Sequence, residues 1–474
     1  MWVGFVPASG LFFAMNNDYL NRVLWLVVAT IAILLAAYWL PSLSLGGVEL
    51  RRVELLSDLF PDVEADSLLL PDSVVTPRQD SEWVDSCRQG MTCIEDFSTD
   101  GRGMKPFYEA LGGMASLGRP VRIAVLGDSY IEGDIITADL RNLLQDRYGG
   151  CGVGFVPMAS ETAGFRRSVV HRFGGWSAYN SVGGGSYNRD YGIISGHYFK
   201  NDSAAWSLFK GQSKYCTRLD TCYRSSLLLL APDTVRISAV VNGGRSKQSI
   251  TVLPSAGIQC VTVADTIHSI RWRPTRCSSR TIFYGATMDD ARGIIVDNFS
   301  LRSSPGSNLG YVHEEMLRSL DRVRHYDLVI LVYGLNVATP RGSDYGYYYK
   351  AMNKAIERLK ECMPGTGFLL VSIGDRDERV DGEMRTMRGV KNLVRYQHTI
   401  AAESGIAFWN LYEAMGGNGS IAAMVKAHEA NLDYTHINFK GGKRIARLLF
   451  DAMEYGKEQH ERRKAFMAGK EVAQ

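Results

Sequence analysis

Three short stretches hold residue types at spacings that can do acyl-transfer chemistry. In residues 121–129, VRIAVLGDS, a serine follows an apolar, β-branched run directly. Val121, Ile123, Val125 and Leu126 read as a buried parallel strand, and Gly127 permits a tight turn after it. From about residue 133 to 148, Ile136, Leu140, Leu143 and Leu144 recur at helical spacing. Ser129 is therefore expected at the C-terminal end of a strand just before a helix, the edge where open α/β sheets bind ligands. A serine on such a turn can present its hydroxyl as a nucleophile. A free hydroxyl is a poor nucleophile and needs an imidazole to take its proton. Asp433-Tyr434-Thr435-His436 supplies one, with a carboxylate three positions earlier to hold its tautomer and stabilise its charged form. In the third stretch, Tyr333-Gly334-Leu335-Asn336, an asparagine ends the apolar run 328–332. His171, His197, His268 and His398 lack an aspartate at this spacing and read as structural. Asp128 reads as a side chain that holds its turn by hydrogen bonds. No metal-ligand cluster and no phosphate-cradling motif of useful specificity is seen, so no metal and no cofactor are expected.

These residues need elements to position them. After residue 304 the pattern alternates. Helices are expected over 311–322, 345–362 and 390–404, strands over 327–333, 367–373 and 406–409, and a helix-like stretch over 440–453. Strands alternating with helices predict a parallel sheet covered on both faces. Between residues 149 and 304 the chain is instead rich in Gly, Ser, Tyr and Trp. Short alternating runs occupy 225–230, 234–241, 249–253, 260–263, 268–272 and 281–284, separated by turns at 242–244 and 254–255. This spacing predicts an all-β sandwich or jelly roll inserted after the first strand-helix pair. Trp176, Tyr179, Tyr187, Tyr191, Trp206 and Trp272 are candidates for stacking on sugar rings, with ordinary core or edge roles as the alternative.

The chain has 474 residues, enough for two or three domains, with 46% hydrophobic and 22% charged residues. A net charge of +3 is too small to indicate nucleic acid as a partner. Eight cysteines without a CxxC pair give no support to a zinc or thioredoxin-type site. Spacing suggests pairs Cys87–Cys93, Cys216–Cys222 and Cys260–Cys277, with reduced core cysteines as the alternative. Residues 23–40 carry no charge, and their length predicts a transmembrane helix. The flanking Arg22, Arg51 and Arg52 do not fix its orientation, while the cysteines favour an oxidising compartment outside the cytoplasm. Residues 43–105, broken by Pro61, Pro71 and Pro77, read as a spacer between membrane and enzyme.

Ser129, then Asn336, then Asp433 and His436, in this order, resemble the GDS, GxN and DxxH blocks of the SGNH (GDSL-type) hydrolases. The β insert between the first two blocks is similar to that of the bacterial peptidoglycan O-acetylesterases in that group. Residues 149–157 and 297–302 also look like the segments bordering such inserts. The resemblance implies a flavodoxin-like three-layer α/β core with a parallel sheet, interrupted by a carbohydrate-binding-like all-β domain. Outside the resemblance, which covers roughly residues 106–455, composition gives an N-terminal segment over 1–22, an anchor over 23–42 and a spacer over 43–105. The hydrolase domain would comprise 106–150 and 305–456, the insert 151–304 and a polar tail 457–474. The resemblance implies Ser129, His436 and Asp433 as the catalytic residues. The oxyanion donors would be the backbone N–H of Ser129, the Asn336 amide and a second-block N–H. The expected second-block glycine is ambiguous, so Ser303 or Gly306 would take its place. Gly127, Asp128 and Gly334 would support the site. The expected activity is removal of O-acetyl groups from a cell-envelope polysaccharide, with peptidoglycan favoured. The expected partners are that polysaccharide and, through the N-terminal helix, a membrane whose periplasmic side the enzyme faces. The alternatives are a polysaccharide O-acetyltransferase and a non-catalytic glycan-binding or assembly factor.

Overall fold

The computed structural model describes residues 21–30, 44–45, 48–49, 86–99, 103–183, 185–216 and 218–471. The chain divides into Met1–Pro71 and Asp72–Gln474. In the first part, residues 21–30 are helical and Ser44–Leu45 pairs antiparallel with Val48–Glu49.

The second part begins with a Cys87–Cys93 disulfide. Strand β1 (Glu95–Asp96), helix α1 (Lys105–Gly112), strand β2 (Val121–Gly127) and helix α2 (Thr137–Tyr148) follow. Nine strands come next: β3 (Gly154–Pro157), β4 (Val169–Asn180), β5 (His197–Gly211), β6 (Cys222–Leu230), β7 (Val235–Val241), β8 (Ser246–Val252), β9 (Ile258–Ile267), β10 (Ser269–Arg276) and β11 (Ile282–Met288). The chain then gives β12 (Ile294–Ser300), α3 (Glu314–Arg324), β13 (Leu328–Val332), α4 (Gly346–Cys362) and β14 (Gly367–Val371). It ends with the hairpin β15 (Asp377–Val380) and β16 (Glu383–Thr386), α5 (Arg388–Ser404), β17 (Ala407–Trp409), α6 (Leu411–Met415), α7 (Ser420–Lys426) and α8 (Phe439–Glu471).

Two sheets carry these elements. One has six strands in the order β12-β2-β13-β14-β17-β1, parallel except where β1 joins β17 antiparallel. Strands β13 and β14 are apolar on both faces and buried, and β2 is so apart from the half-buried Arg122, as parallel strands covered by helices must be. The other sheet is antiparallel, with nine strands in the order β8-β7-β10-β5-β11-β6-β9; β3 also pairs with β11, and β4 with β5. Each sheet has its own apolar cluster. The first centres on residues such as Ile123, Val125, Ile330 and Trp409, the second on Phe209, Ile237, Trp272 and Phe283.

This corrects the expected fold class. The expectation is a flavodoxin-like three-layer α/β core interrupted by an all-β jelly roll or sandwich. Instead the largest sheet is one antiparallel sheet of nine strands, seven of them on a single path with β3 and β4 pairing off it. Alternating polarity marks individual strands such as β7 and β10, but pairing partners are set by long-range register, which alternation does not encode. The strands β4 and β5, 12 and 15 residues long, tie the sheet together. Their Gly- and polar-rich sequences hide them from a period-two reading.

The transmembrane expectation is corrected too. Among the described residues, no helix is long and apolar enough to cross a membrane. Within the anchor expected over 23–42, the described helix ends at residue 30, and residues 31–42 lie outside the described residues. The membrane-anchored, periplasm-facing location rested on that anchor and falls with it. Of the proposed disulfides, Cys87–Cys93 forms, while Cys216, Cys222, Cys260 and Cys277 are free thiols.

Two covalently distant segments hold the sheets together. Residues 149–157 pack on β12, where Phe155 N donates to Asp297 Oδ1 at 2.8 Å. The other carboxylate oxygen of Asp297 accepts from Arg324 and from Tyr326 Oη, each at 2.7 Å, and Arg324 also reaches Asp289 at 2.6 Å. All four side chains are buried, so each charge is compensated where water cannot reach.

Candidate active site

The turn after β2 is built by close packing. A Cβ on Gly127 would lie 2.6 Å from the Val332 carbonyl oxygen of the neighbouring strand and 2.9 Å from Ile131 Cγ1. Only glycine fits there, and the chain can then turn sharply. Asp128 is buried and its Oδ1 accepts from Tyr130 N at 2.9 Å, so it holds the turn. Burial raises its carboxyl to about 6, against hydrogen bonds from the Tyr130 and Leu335 backbone, the nearby His436 and the Asn336 amide. Ser129 follows, half-buried, at the C-terminal edge of the parallel sheet.

His436 reaches the serine from the loop before α8. Ser129 Oγ lies 3.1 Å from His436 Nε2, and His436 Nδ1 lies 2.8 Å from Asp433 Oδ2. The other oxygen of Asp433 accepts from the backbone N–H of Thr435 and of His436, both at 3.0 Å. Tyr434 takes a left-handed φ of 53°, which folds the loop back far enough for both amides to reach the carboxylate. The loop is pinned from outside by Asp377 N to Tyr434 O at 3.1 Å and by Asn431 N to His436 O at 2.8 Å. Burial acts to raise the Asp433 carboxyl, but the His436 and Thr435 hydrogen bonds outweigh it and hold it below the usual carboxylate range. The histidine and aspartate side chains are 39% and 48% exposed, so the pair opens to solvent and to any polymer arriving there.

Asn336 stands on the loop after β13. Its Nδ2 donates to Asp128 Oδ2 and to Ser304 O, each at 3.2 Å. The amide thus ties the serine turn to the loop after β12. Gly334, with φ 136°, lets this loop pass close to Ile373, where a Cβ would come within 2.9 Å. Ser303 lies on the β12 loop in a turn closed by Ser304 N to Leu301 O at 3.1 Å, and Leu301 N donates back to Gly127 O at 2.9 Å. Ser303 has φ 63°, the conformation glycine takes freely. Among the described residues, no hydrogen bond engages the backbone N–H of Ser129 or of Ser303, so both remain available as donors. Gly306, the other second-block candidate, is buried, and its N–H is taken by Ser304 Oγ at 3.2 Å. The structure thus gathers Ser129, His436, Asp433, Asn336, Asp128, Gly127 and Gly334 around one sheet edge, with Ser303 on the adjoining loop. Among the described residues no group of three or more His, Cys, Asp or Glu side chains is placed to hold a metal ion.

Sequence reasoning missed the charged supports. Glu132, in the turn after Ser129, pairs with Arg302, whose Nη2 comes within 2.5 Å and which directly precedes Ser303. Two residues later in the chain, Asp134 is fully buried and is held by Thr137, Arg141, Arg166 and Ser168. Burial acts to raise its carboxyl, but the Arg141 and Arg166 guanidiniums overcome this and hold it well below the usual range. Arg166 and Ser168 belong to the segment between β3 and β4, so this carboxylate binds the serine turn to the antiparallel sheet. No short motif signals either cluster. The β15–β16 hairpin did carry a signal, the Asp381-Gly382 pair with φ 51° and 87°. Of the aromatic candidates, Trp272 is buried and its indole donates to Ser225 Oγ at 3.0 Å. Trp176 donates to Trp206 O and Ser207 Oγ and packs on Phe283, and Trp206 lies beneath Arg271. Tyr179, Tyr187 and Tyr191 surround Tyr198 at ring distances of 4.9 to 5.6 Å.

No family model matches the sequence, and no curated protein matches it. Among solved structures, a peptidoglycan O-acetylesterase superposes with a TM-score of 0.64 at 20% identity, covering 77% of this chain and 99% of that one. An acetyl xylan esterase at 16% identity covers 34% of this chain and 81% of its own, with a TM-score of 0.26. A family two carbohydrate esterase from Clostridium thermocellum, in complex with cellohexaose, is 10% identical and covers 60% of this chain and all of its own. Its TM-score is also 0.26, and neither of these two values indicates a common overall fold. The chain thus has the fold of the peptidoglycan O-acetylesterase, in keeping with the SGNH resemblance carried by Ser129, Asn336, Asp433 and His436.

Proposed function

We propose that the protein is a carboxylic-ester hydrolase: a serine esterase that removes O-acetyl groups from a cell-envelope polysaccharide, with peptidoglycan the favoured substrate. The observation that carries this reading is the hydrogen-bonded series Ser129 Oγ, His436 Nε2, His436 Nδ1 and Asp433 Oδ2, with steps of 3.1 and 2.8 Å. Likeness in fold to a peptidoglycan O-acetylesterase supports the choice of polymer.

In this mechanism Ser129 Oγ attacks the acetyl carbonyl while His436 Nε2 takes its proton, and Asp433 stabilises the imidazolium. The developing oxyanion meets the N–H groups of Ser129 and Ser303 and the amide of Asn336. To reach it, the amide gives up one of its present acceptors, Asp128 or Ser304. The sugar oxygen leaves with the proton from His436, and an acetyl group stays on Ser129. Water, deprotonated by His436, then releases acetate and restores the serine. No group beyond this chain and water is required.

The test is acetate release from O-acetylated peptidoglycan by the full chain, with Ser129→Ala as control. Release by the parent and background activity in the variant are expected. Equal silence on peptidoglycan, with a Ser129-dependent difference on a small acetyl ester, would overturn the polymer assignment. Silence on both with folded protein would overturn the esterase reading.

A further inference from the structure

A second concave site lies beside the candidate active site and has no part in the chemistry above. Ser181, Tyr187 and Arg189, from the β4–β5 connection, and Asn308 and Tyr311, from the segment before α3, line an open cavity of about 410 Å³. That volume includes space continuous with solvent, so the site is a shallow surface concavity. Asn308 joins it to the active site. Asn308 Oδ1 accepts from Ser304 Oγ at 2.7 Å, and Asn308 Nδ2 donates to Ser181 Oγ at 2.9 Å. Ser304 is the residue after Ser303 and accepts from Asn336. One side chain therefore separates the oxyanion loop from the cavity wall.

One cation, Arg189, lines the cavity, and a second, Lys354, stands at its Tyr311 wall. The Arg189 guanidinium sits 4.8 Å from the centre of the Tyr311 ring, and Lys354 Nζ lies 5.7 Å from the same ring. Among the described residues no carboxylate pairs with either of them, whereas Arg302 on the other side of Ser304 is neutralised by Glu132. Tyr311 is 48% exposed and offers a flat face at the same place. Two unpaired cations beside an accessible aromatic face raise the local potential for an anion and give a surface for a ring.

We propose that this cavity is a subsite for a carboxylate-bearing sugar unit of the polymer whose acetyl group reaches Ser129. This deepens the esterase reading and rests on it. Tyr311 and Tyr187 take the ring, Arg189 takes the carboxylate, and Asn308 sets the distance to the oxyanion loop. The site selects an anionic glycan over a neutral one.

The test is calorimetric binding to the full-length Ser129→Ala protein. The probes are soluble peptidoglycan fragments carrying their carboxylates and a neutral xylo-oligosaccharide of similar length. The anionic fragment is expected to bind more tightly, and its affinity to fall about tenfold with Arg189→Gln and with Tyr311→Ala. Arg189→Lys, which keeps the charge, should recover part of the loss. Both side chains are on the surface, and unchanged circular dichroism spectra check the folds. Equal affinity for the two probes, or affinities that neither variant alters, would overturn the subsite. If the parent enzyme releases no acetate from any ester while Arg189 still governs fragment binding, the esterase reading fails and the subsite stands. If acetate is released but the fragment is insensitive to Arg189 and Tyr311, the subsite alone fails.

Discussion

Replacing Asp433 by asparagine separates the orienting role of this carboxylate from its structural one. Oδ1 accepts two backbone N–H groups at 3.0 Å, and an amide oxygen can do the same. The amide nitrogen must then face His436 Nδ1, where Oδ2 now sits at 2.8 Å. A nitrogen that donates there forces Nδ1 to accept, and the ring proton moves to Nε2. Protonated Nε2 cannot take the Ser129 proton across the 3.1 Å contact. The same change in a Ser-His-Asp triad costs about 10⁴-fold in rate. A loss of about 10³- to 10⁴-fold in kcat is expected here, equivalent to roughly 4–5.5 kcal/mol of transition-state stabilisation. At neutral pH the variant should be modestly less stable, because the backbone bonds survive but their carboxylate acceptor has lost its charge. The folded carboxyl of Asp433 lies below its ordinary value, so its contribution is present above the unfolded value near 4 and fades as pH falls through the folded one. The unfolding midpoints of parent and variant should therefore converge in acid. The assay is steady-state hydrolysis of a small acetyl ester, with thermal unfolding recorded alongside. A variant that keeps more than a tenth of the parent kcat would refute this reasoning.

Three further expectations follow from the same geometry. Asn336→Ala should lower kcat by about 10²- to 10³-fold on the small ester, the usual cost of one oxyanion donor; an unchanged kcat would remove Asn336 from that role. Gly127→Ala forces a methyl group to 2.6 Å from the Val332 carbonyl and should lower unfolding free energy by about 1–3 kcal/mol in a denaturant titration, with a loss of activity as Ser129 shifts. The buried Asp128 carboxyl should titrate near 6 by carbon-13 NMR. Its raised value means that the folded state holds the proton more tightly, so this contribution to stability is full below about pH 4 and is lost as pH rises through 6; a midpoint near 4 would contradict the burial argument.

The parts of this molecule legible in sequence are those fixed by local pattern. The apolar run before Ser129 is the strand Val121–Gly127, and the expected strand over 367–373 is Gly367–Val371. The helix expected over 345–362 is Gly346–Cys362. The DxxH spacing read as a carboxylate supporting an imidazole is observed at hydrogen-bond distance, because a three-residue separation closes a turn by itself. What the sequence concealed depends on distant partners. Ser303 is a second-block candidate beside Gly306, but its positive φ, that of a glycine, is set by its loop and not by its residue type. Arg166 meets Asp134 only after α2 and β3 have brought separate segments together. The antiparallel sheet was mistaken for a sandwich because its order, with β5 between β10 and β11, follows from register alone. The uncharged run 23–40 meets a length criterion for a membrane span, yet among the described residues no helix is long and apolar enough to cross a membrane.

The central claim is that Ser129 becomes acetylated during turnover. The direct measurement is mass spectrometry of the full chain, quenched during hydrolysis of an acetyl ester and digested. One added acetyl group on the peptide containing Ser129, absent in Ser129→Ala, is the predicted result. Acetate release at the parent rate by Ser129→Ala, with that peptide unmodified in the parent throughout, would contradict it.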